Sequence, residues 1–423
     1  MGRNTHPPFD FIEGRGSTFC RGCHSEKVFS GLDLGELPIA NELLNSRVGH
    51  LEKFPLHLRI CAECGLGQVA DVVSPDRIFR DYRYLSSMST TFLQHASDFV
   101  DDMVQTGMFA ADDWVLEIAS NDGYLLRNFS ALGIKTLGIE PAENVAEISR
   151  NLGIETISEF FSRKLAIELL EKYGHPKLII ANNVMAHVPD LIDFVRGLEI
   201  LCGHQTLISI ENPSLSNILL DMQFDTIYHE HYSYLSATAV TNICKLNNLH
   251  LSRVEELTIH GGSKRYWLKK ASVDDFTDPS VTKTINFEIE NGLFNEERWA
   301  SYSSKVFSIL SELKNWLDKG KSDGKRIYGY GAAAKASTIL NFSGIDPDLI
   351  IAIADVSLEK QQRFMPPHGI KIVSPQELFA AEPTDVLIFP WNIKTEIANY
   401  LRSNLNDKTH LWVAIPKMQE IQS

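Results

Sequence analysis

The 423-residue chain contains no run of 18 or more apolar residues, so no membrane-spanning helix is expected. Its first residues, MGRNTHPPFDFIEG, lack the apolar stretch of a secretory leader, and His6 stands where a myristoylation signal has Ser or Thr. A cytoplasmic protein that does not engage membranes is therefore expected. Positive charge is also short: 40 Lys and Arg against 54 Asp and Glu, a net charge of −14. Such a chain has no general attraction for phosphate backbones, and nucleic acid is not an expected partner. Six cysteines in 423 residues are too few for a disulfide scaffold. Four of them, however, form two CxxC pairs, Cys20–Cys23 and Cys61–Cys64, with 37 residues between the pairs. Two-residue spacing lets both thiolates of one turn reach the same ion, and two such turns make a tetrahedral S₄ set suited to structural zinc.

The length exceeds one ordinary core and implies two or three domains. Residues 1–75 carry the cysteines among turns and short apolar runs. Residues 76–105 read as helical, with Phe92, Phe99, Val100 and Met103 near helical spacing. From about residue 112, buried strands (WVLEIA, KTLGIE, KLIIANNV, QTLISIENP) alternate with helices, the pattern of a doubly wound parallel sheet. An amphipathic helical region at 286–320 and a break at KGKSDGK (318–324) precede a second, smaller α/β alternation.

Three stretches lie where such sheets bind ligands, at the carboxyl ends of strands. VLEIASNDGYLL (115–126) is a strand, a tight turn and a helix entry, with Ala119 and Ser120 where a dinucleotide fingerprint has glycine. Glu140, 23 residues after Glu117, ends the next strand and can accept ribose hydroxyls. Together they point to an adenosyl ligand, either NAD or S-adenosylmethionine. The candidate cofactor residues are Glu117, Ala119, Asn121, Asp122, Gly123, Glu140, Pro141, Asn182 and Asn183. The third stretch, ANNVMAHVPD (181–190), adds His187 at a strand end. Elsewhere, YGYGAAAKAS (328–337) is a second strand–Gly–x–Gly–helix entry, with Lys335 one turn into the helix and suited to a phosphate.

FDTIYHEHYSYLS (224–236) is dense in polar aromatics. Its two histidines lack the i, i+4 spacing of a helical zinc pair. A regular strand would point Glu230 and His231 to opposite faces. If both serve one centre, residues 228–231 are expected to leave strand geometry.

Read in order, the two CxxC pairs, DYRYLSSMS (81–89), EIASNDGYLL, GIEPAENV, NNVMAHVPD, FDTIYHEHYSYLS, HGGSKRYW (260–267), YGYGAAAKAS and MPPHGIKIVSP (365–375) resemble the S-adenosylmethionine-dependent sugar-nucleotide C-methyltransferases of deoxysugar biosynthesis, typified by the C-3′-methyltransferase of dTDP-4-keto sugars. The resemblance implies an α/β protein of three parts: a zinc-binding domain (1–75), a Rossmann-like methyltransferase domain with a helical linker (76–315) and a C-terminal Rossmann-like α/β domain (316–423). It implies S-adenosylmethionine and structural Zn²⁺ as cofactors and a dTDP-, GDP- or CDP-linked keto deoxysugar as partner. By motif match, Tyr82, His187, Tyr228, Glu230 and His231 line the reacting sugar, with Ser87, Gly329, Gly331 and Lys335 on the substrate side. The chain departs from the family pattern GYGAPAKG at Ala333 and Ala336.

Methylating carbon beside a ketone needs a base to form an enolate and a donor for the developing oxyanion. His231, oriented by Glu230, is the expected base, with Tyr82 as the alternative; Tyr228, Tyr82 or His187 would stand at the ketone oxygen. Two rival readings are an NAD-dependent sugar-nucleotide oxidoreductase and a non-catalytic zinc-ribbon module on a degenerate methyltransferase. Against the first, neither glycine turn is a GxGxxG; against the second, Glu140, His187 and the 228–231 cluster are all in place.

Overall fold

The computed structural model describes residues 18–49, 51–70, 73–79, 85–273, 275–366 and 369–422. Tyr82 lies outside the described residues.

The cysteine-bearing segment forms more regular structure than its sequence announces. Strands β1 (Val28–Pro38) and β2 (Lys53–Cys61) pair antiparallel, and β3 (Gly67–Val69) pairs with β2. Two register shifts, between Ser30 and Leu32 and between Asp33 and Glu36, break the alternation of β1 and hide it from a period-2 reading. A short helix, α1 (Pro75–Phe79), and a longer one, α2 (Thr90–Gln105), follow. The Ser89 hydroxyl caps α2 by accepting the Phe92 N–H at 3.3 Å. Phe99, Val100 and Met103 are all buried, as their helical spacing predicts.

The central segment alternates as expected: β4 (Trp114–Ile118), α3 (Leu126–Ala131), β5 (Lys135–Ile139), α4 (Glu143–Asn151), β6 (Thr156–Ile157), α5 (Arg163–Tyr173), β7 (Leu178–Asn182), α6 (Leu191–Leu201) and β8 (Leu207–Pro213). After α7 (Leu215–Leu220), the short β9 (Ser233–Tyr234) and α8 (Ala237–Leu246), a hairpin of β10 (Leu249–Leu257) and β11 (Ser263–Lys270) completes the sheet. The strand order is β10-β11-β8-β7-β4-β5-β6, and β11 runs antiparallel to both neighbours. The two glycines of HGGSKRYW make its turn. At Gly261 (φ 84°) a Cβ would lie 2.7 Å from the Trp391 ring, and at Gly262 (φ 110°) one would lie 2.0 Å from the Asn217 amide. Only glycine allows both the left-handed backbone and these approaches.

Two helices, α9 (Pro279–Glu290) and α10 (Glu296–Ser322), lead to the last sheet. The break expected at 318–324 comes later: α10 runs through Ser322, because Lys319 and Lys321 suit a helix C-terminus, and Gly324 (φ 70°) follows its end. The last sheet has β12 (Ile327–Tyr330), α11 (Ala334–Ser343), β13 (Ile353–Ala354), β14 (Phe364–Met365), β15 (Ile370–Val373), α12 (Pro375–Ala380), β16 (Asp385–Ile388), α13 (Lys394–Arg402), β17 (His410–Val413) and β18 (Gln419–Glu420), in the order β14-β15-β13-β12-β16-β17-β18.

One core joins the first and last sheets, while the central sheet packs in clusters of its own, one of which takes in Cys20, Cys61 and Cys64. Leu32, Leu58 and Ile60 of the first sheet pack with Leu215 and Phe224 of the central segment, Val306 and Leu313 of α10, and Ile339 of α11. Strand β9, far beyond β3 in sequence, pairs with β3 and becomes the fourth strand of the cysteine-bearing sheet. Among the described residues no helix is long and apolar enough to cross a membrane.

Candidate active site

The four cysteine sulfurs of Cys20, Cys23, Cys61 and Cys64 all lie within 4.8 Å of one another. Cys20 and Cys64 are 3.5 Å apart and Cys23 and Cys61 3.6 Å. A tetrahedron with Zn–S bonds of about 2.3 Å has edges of about 3.8 Å, so the set fits a zinc ion with little adjustment. The thiolates would hold the ion at all four positions, leaving no open position for substrate. Cys202 and Cys244 are buried core residues outside this set.

The turn after β4 carries a backbone that side chains seldom adopt: φ is positive at Ala119 (57°), Asn121 (51°) and Gly123 (77°). A Cβ at Gly123 would lie 2.7 Å from the Ser149 hydroxyl. The Glu140 carboxylate braces this turn. Its two oxygens accept the N–H groups of Asn121 and Ala142, each at 3.0 Å, and a carboxylate has lone pairs left for ribose hydroxyls. Ser86 and Ser87 lie on the same turn: Ser86 N–H donates to Asn121 Oδ1 (2.9 Å) and Ser87 N–H to Asp122 Oδ2 (3.3 Å). Ser87, expected on the substrate side, thus lies against the turn after β4. Asn183 (φ 54°) follows β7, its N–H donating to the Glu211 carbonyl at 2.6 Å. Asn182 and Pro141 are half-buried at their strand ends.

Glu117, Asp122 and Glu140 make one acidic pocket. Burial pushes Glu117 well above the usual carboxylate range, and the charges of Asp122 and Glu140 push it further. Burial likewise holds Glu140 at about 7, against the two N–H donors that pull it down. Among the described residues, Glu117 Oε2 and Asp122 Oδ1 are buried without a hydrogen-bond partner. The ammonium and sulfonium of S-adenosylmethionine would suit this acidic lining. Glu117→Gln is expected to weaken cofactor binding by about 10- to 100-fold, read by calorimetry. Because the cation favours the ionised carboxylates, binding near neutral pH should release protons, and affinity should rise as pH rises through about 7.

The histidine-rich stretch is buried and irregular, as its expected role requires. Residues 228–230 form a turn closed by His231 N–H donating to the Tyr228 carbonyl at 3.0 Å. The rings of His231 and Tyr228 have centroids 4.0 Å apart, and His187 lies edge-on to His231 at 4.8 Å. His231 Nδ1 sits 2.8 Å from the Thr226 carbonyl. A carbonyl only accepts, so Nδ1 carries a hydrogen, and in the neutral ring the lone pair is on Nε2. The Thr226 carbonyl thus helps to orient His231, and Glu230, the expected orienting group, pairs with Asn41. His187 Nδ1 donates in the same way to the Glu230 carbonyl at 2.7 Å. Burial lowers His187 to about 4, so at neutral pH it is uncharged and its one hydrogen is committed to Glu230. In that state its Nε2 carries no hydrogen to donate. Glu230 accepts from the Asn41 amide at 2.6 Å, and burial raises its carboxyl to about 7.

Lys335 is turned inward. Its ammonium lies 3.8 Å from the buried Asp225 carboxylate and over the Trp391 ring, whose N–H also donates to Asp225 (2.7 Å). A phosphate expected at Lys335 thus meets a carboxylate already beside it. Asp355 likewise accepts the Ala332 N–H at 2.8 Å, inside the glycine turn. Gly329 and Gly331 have packing roles: a Cβ would lie 2.8 Å from Ile353 and Phe389 at the first, and 2.4 Å from Pro390 at the second.

Sequence reasoning misses Asn41 and Thr226, which act through an amide and a backbone carbonyl and carry no motif. It also misses Glu211, whose carboxylate is buried between His95 (2.9 Å) and Arg265 (2.9 Å); its place at the end of QTLISIENP is the available signal.

Comparison with known proteins follows the same three-part order. Residues 20–79 match a zinc binding domain model, residues 91–254 a methyltransferase domain model, and residues 258–416 a C-methyltransferase C-terminal domain model. The chain is 29% identical over 406 residues to the C-methyltransferase NovU of Streptomyces niveus, covering 96% of this chain and 97% of that protein. Among solved structures, magnesium protoporphyrin IX methyltransferase of Synechocystis with bound S-adenosylmethionine matches at 13% identity and TM-score 0.33, covering 47% of this chain and 89% of the other. An S-adenosylmethionine-dependent methyltransferase of Clostridium acetobutylicum matches at 12% identity and TM-score 0.34, covering 43% and 92%. These two likenesses are too loose to carry an argument. In sequence order the chain carries a zinc binding domain whose cysteine set fits the ion, a methyltransferase domain and a C-methyltransferase C-terminal domain, the marks of an S-adenosylmethionine-dependent C-methyltransferase.

Proposed function

We propose that the chain methylates a carbon next to the ketone of a 4-keto deoxysugar nucleotide, in the cytoplasmic synthesis of a deoxysugar for a surface glycan or natural product. The observation that carries this reading is the fixed tautomer of His231: a buried imidazole with its lone pair on Nε2, beside Tyr228 and Glu230 in one turn. Carbon methylation needs such a base to take the C–H proton beside the ketone.

In this reading His231 Nε2 takes the proton from the carbon beside the ketone, and Tyr228 donates to the oxygen on which the charge settles. Tyr82 remains the alternative base. S-adenosylmethionine, when bound over Glu117 and Glu140, supplies the methyl group to that carbon. Burial of Glu230 and His231 limits the water that competes for the enolate. The functional division runs with residues 1–75 as the zinc-binding part, 76–315 as the methyltransferase part and 316–423 as the part that completes the sugar-nucleotide cleft. The test is S-adenosylhomocysteine release across dTDP-, GDP- and CDP-linked 4-keto sugars. Turnover with at least one, and a new C-methyl signal in its product by NMR, is expected. No turnover with any 4-keto sugar would overturn the reading.

A further inference from the structure

We infer that Asn41, in the cysteine-bearing part of the chain, is a positioning residue of the reaction centre that fixes the carboxyl of Glu230. The inference rests on the reading of residues 228–231 as the reaction centre, but not on the identity of the sugar.

Asn41 lies past the end of β1 and before β2, far from residue 230 in sequence. Its place is held from two sides. Ile39 and Ala40, just before it, are buried, and Leu44, just after it, exchanges backbone hydrogen bonds with Phe364 of β14 at 2.9 Å each way. The Asn41 amide is therefore fixed where the first sheet meets the C-terminal part. From there Nδ2 donates to Glu230 Oε1 at 2.6 Å.

Three further contacts fix the rest of the stretch from the same layer. His229 Nε2 donates to the Phe54 carbonyl at 3.1 Å, the Tyr232 hydroxyl to the Val73 carbonyl at 2.7 Å, and the Arg21 guanidinium, inside the first CxxC, to the carbonyls of Val69 (2.7 Å) and Tyr232. The reacting turn is thus set by the layer that the cysteines close.

The chemistry of an amide at this position is specific. Its hydrogen bond occupies one oxygen, so when Glu230 is protonated its hydrogen sits on Oε2. It carries no charge, so it offsets part of the desolvation of Glu230 without holding the carboxyl permanently ionised, as an arginine would. Burial raises Glu230, while Asn41 and the charge of Lys360 lower it, and the balance leaves it at about 7. A carboxyl in that range can exchange protons with its surroundings at neutral pH.

The test reads Glu230 directly in the free, zinc-loaded protein, with no sugar nucleotide present. Glutamate labelled with ¹³C at the δ-carbon is titrated by NMR, and the signal is assigned by its loss in Glu230→Gln. In Asn41→Leu, of similar size but with no donor, the Glu230 midpoint is expected to rise by about one to two pH units, with zinc content unchanged. Asn41→Asp, which keeps the shape and adds a like charge, should raise it as well and serves if the leucine variant does not fold. An unchanged midpoint in the folded variant overturns the inference. Absence of turnover with every 4-keto sugar would instead strike the functional reading and leave this titration standing.

Discussion

His231→Ala is expected to lower methyl transfer by about 10²–10⁴-fold while leaving cofactor affinity within a few-fold of the parent. The split follows from the geometry. His231 belongs to the turn between α7 and β9 and is held by the Thr226 carbonyl, whereas the turn at 119–123, proposed to hold the cofactor, is braced by Glu140, Ser86 and Ser87. Different partners hold the two sites. Initial rates of S-adenosylhomocysteine release and calorimetric binding of S-adenosylhomocysteine separate them. Equal losses in both would mean that His231 supports the fold and not the chemistry. Tyr228→Phe should follow with a smaller loss of about 10²–10³-fold, since it removes one donor from the oxygen.

Removing the metal is expected to abolish methyl transfer without abolishing cofactor binding. Cys61 is the last residue of β2, and its N–H donates to the Leu66 carbonyl at 2.9 Å, so the ion closes the loop that sets β3 beside β2. β3 in turn pairs with β9, and Val69 N–H donates to the Tyr232 carbonyl at 3.1 Å. A structural zinc site contributes folding energy to the segment that binds it. Cys61→Ser should therefore loosen the first sheet and, through β3, the turn at 228–231. Hydrogen exchange should rise at Val69 and His231 but not along β4 and β5, and metal analysis should show the loss of the bound zinc. If Cys61→Ser keeps its exchange protection at His231 and its turnover, the cysteine layer has no part in setting the reaction centre.

What is legible in the sequence is local. The CxxC pairs announce their set because a thiolate pair is closed within one turn. The strands from β4 to β8 announce themselves because both faces are covered and they read as unbroken apolar runs. The cofactor turn shows through a strand end, a glycine and an acidic residue one unit later. The 228–231 stretch is readable as irregular because two side chains meant for one centre cannot lie on opposite faces of a strand.

What is not legible depends on pairs distant in sequence. Asn41 and Glu230 are 189 residues apart, and Lys335 and Asp225 are brought together only when α11 packs against the segment before the reacting turn. Lys335 reads as a phosphate ligand because its position one turn into a helix is suited to one; a buried carboxylate decides otherwise. The β10–β11 hairpin is obscured by its register shift between Leu251 and Arg253, which breaks the alternation. His187 meets His231 edge-on and gives its Nδ1 hydrogen to the Glu230 carbonyl, a pairing across 43 residues that no motif announces.

The central claim is that His231 withdraws a proton from carbon before any methyl group moves. Solvent deuterium exchange into the 4-keto sugar, followed by NMR in the absence of S-adenosylmethionine, measures that step alone. The parent protein should exchange the hydrogen beside the ketone, and His231→Ala should do so about 10²–10⁴-fold more slowly. Exchange in His231→Ala as fast as in the parent would contradict the account and move the base to Tyr82.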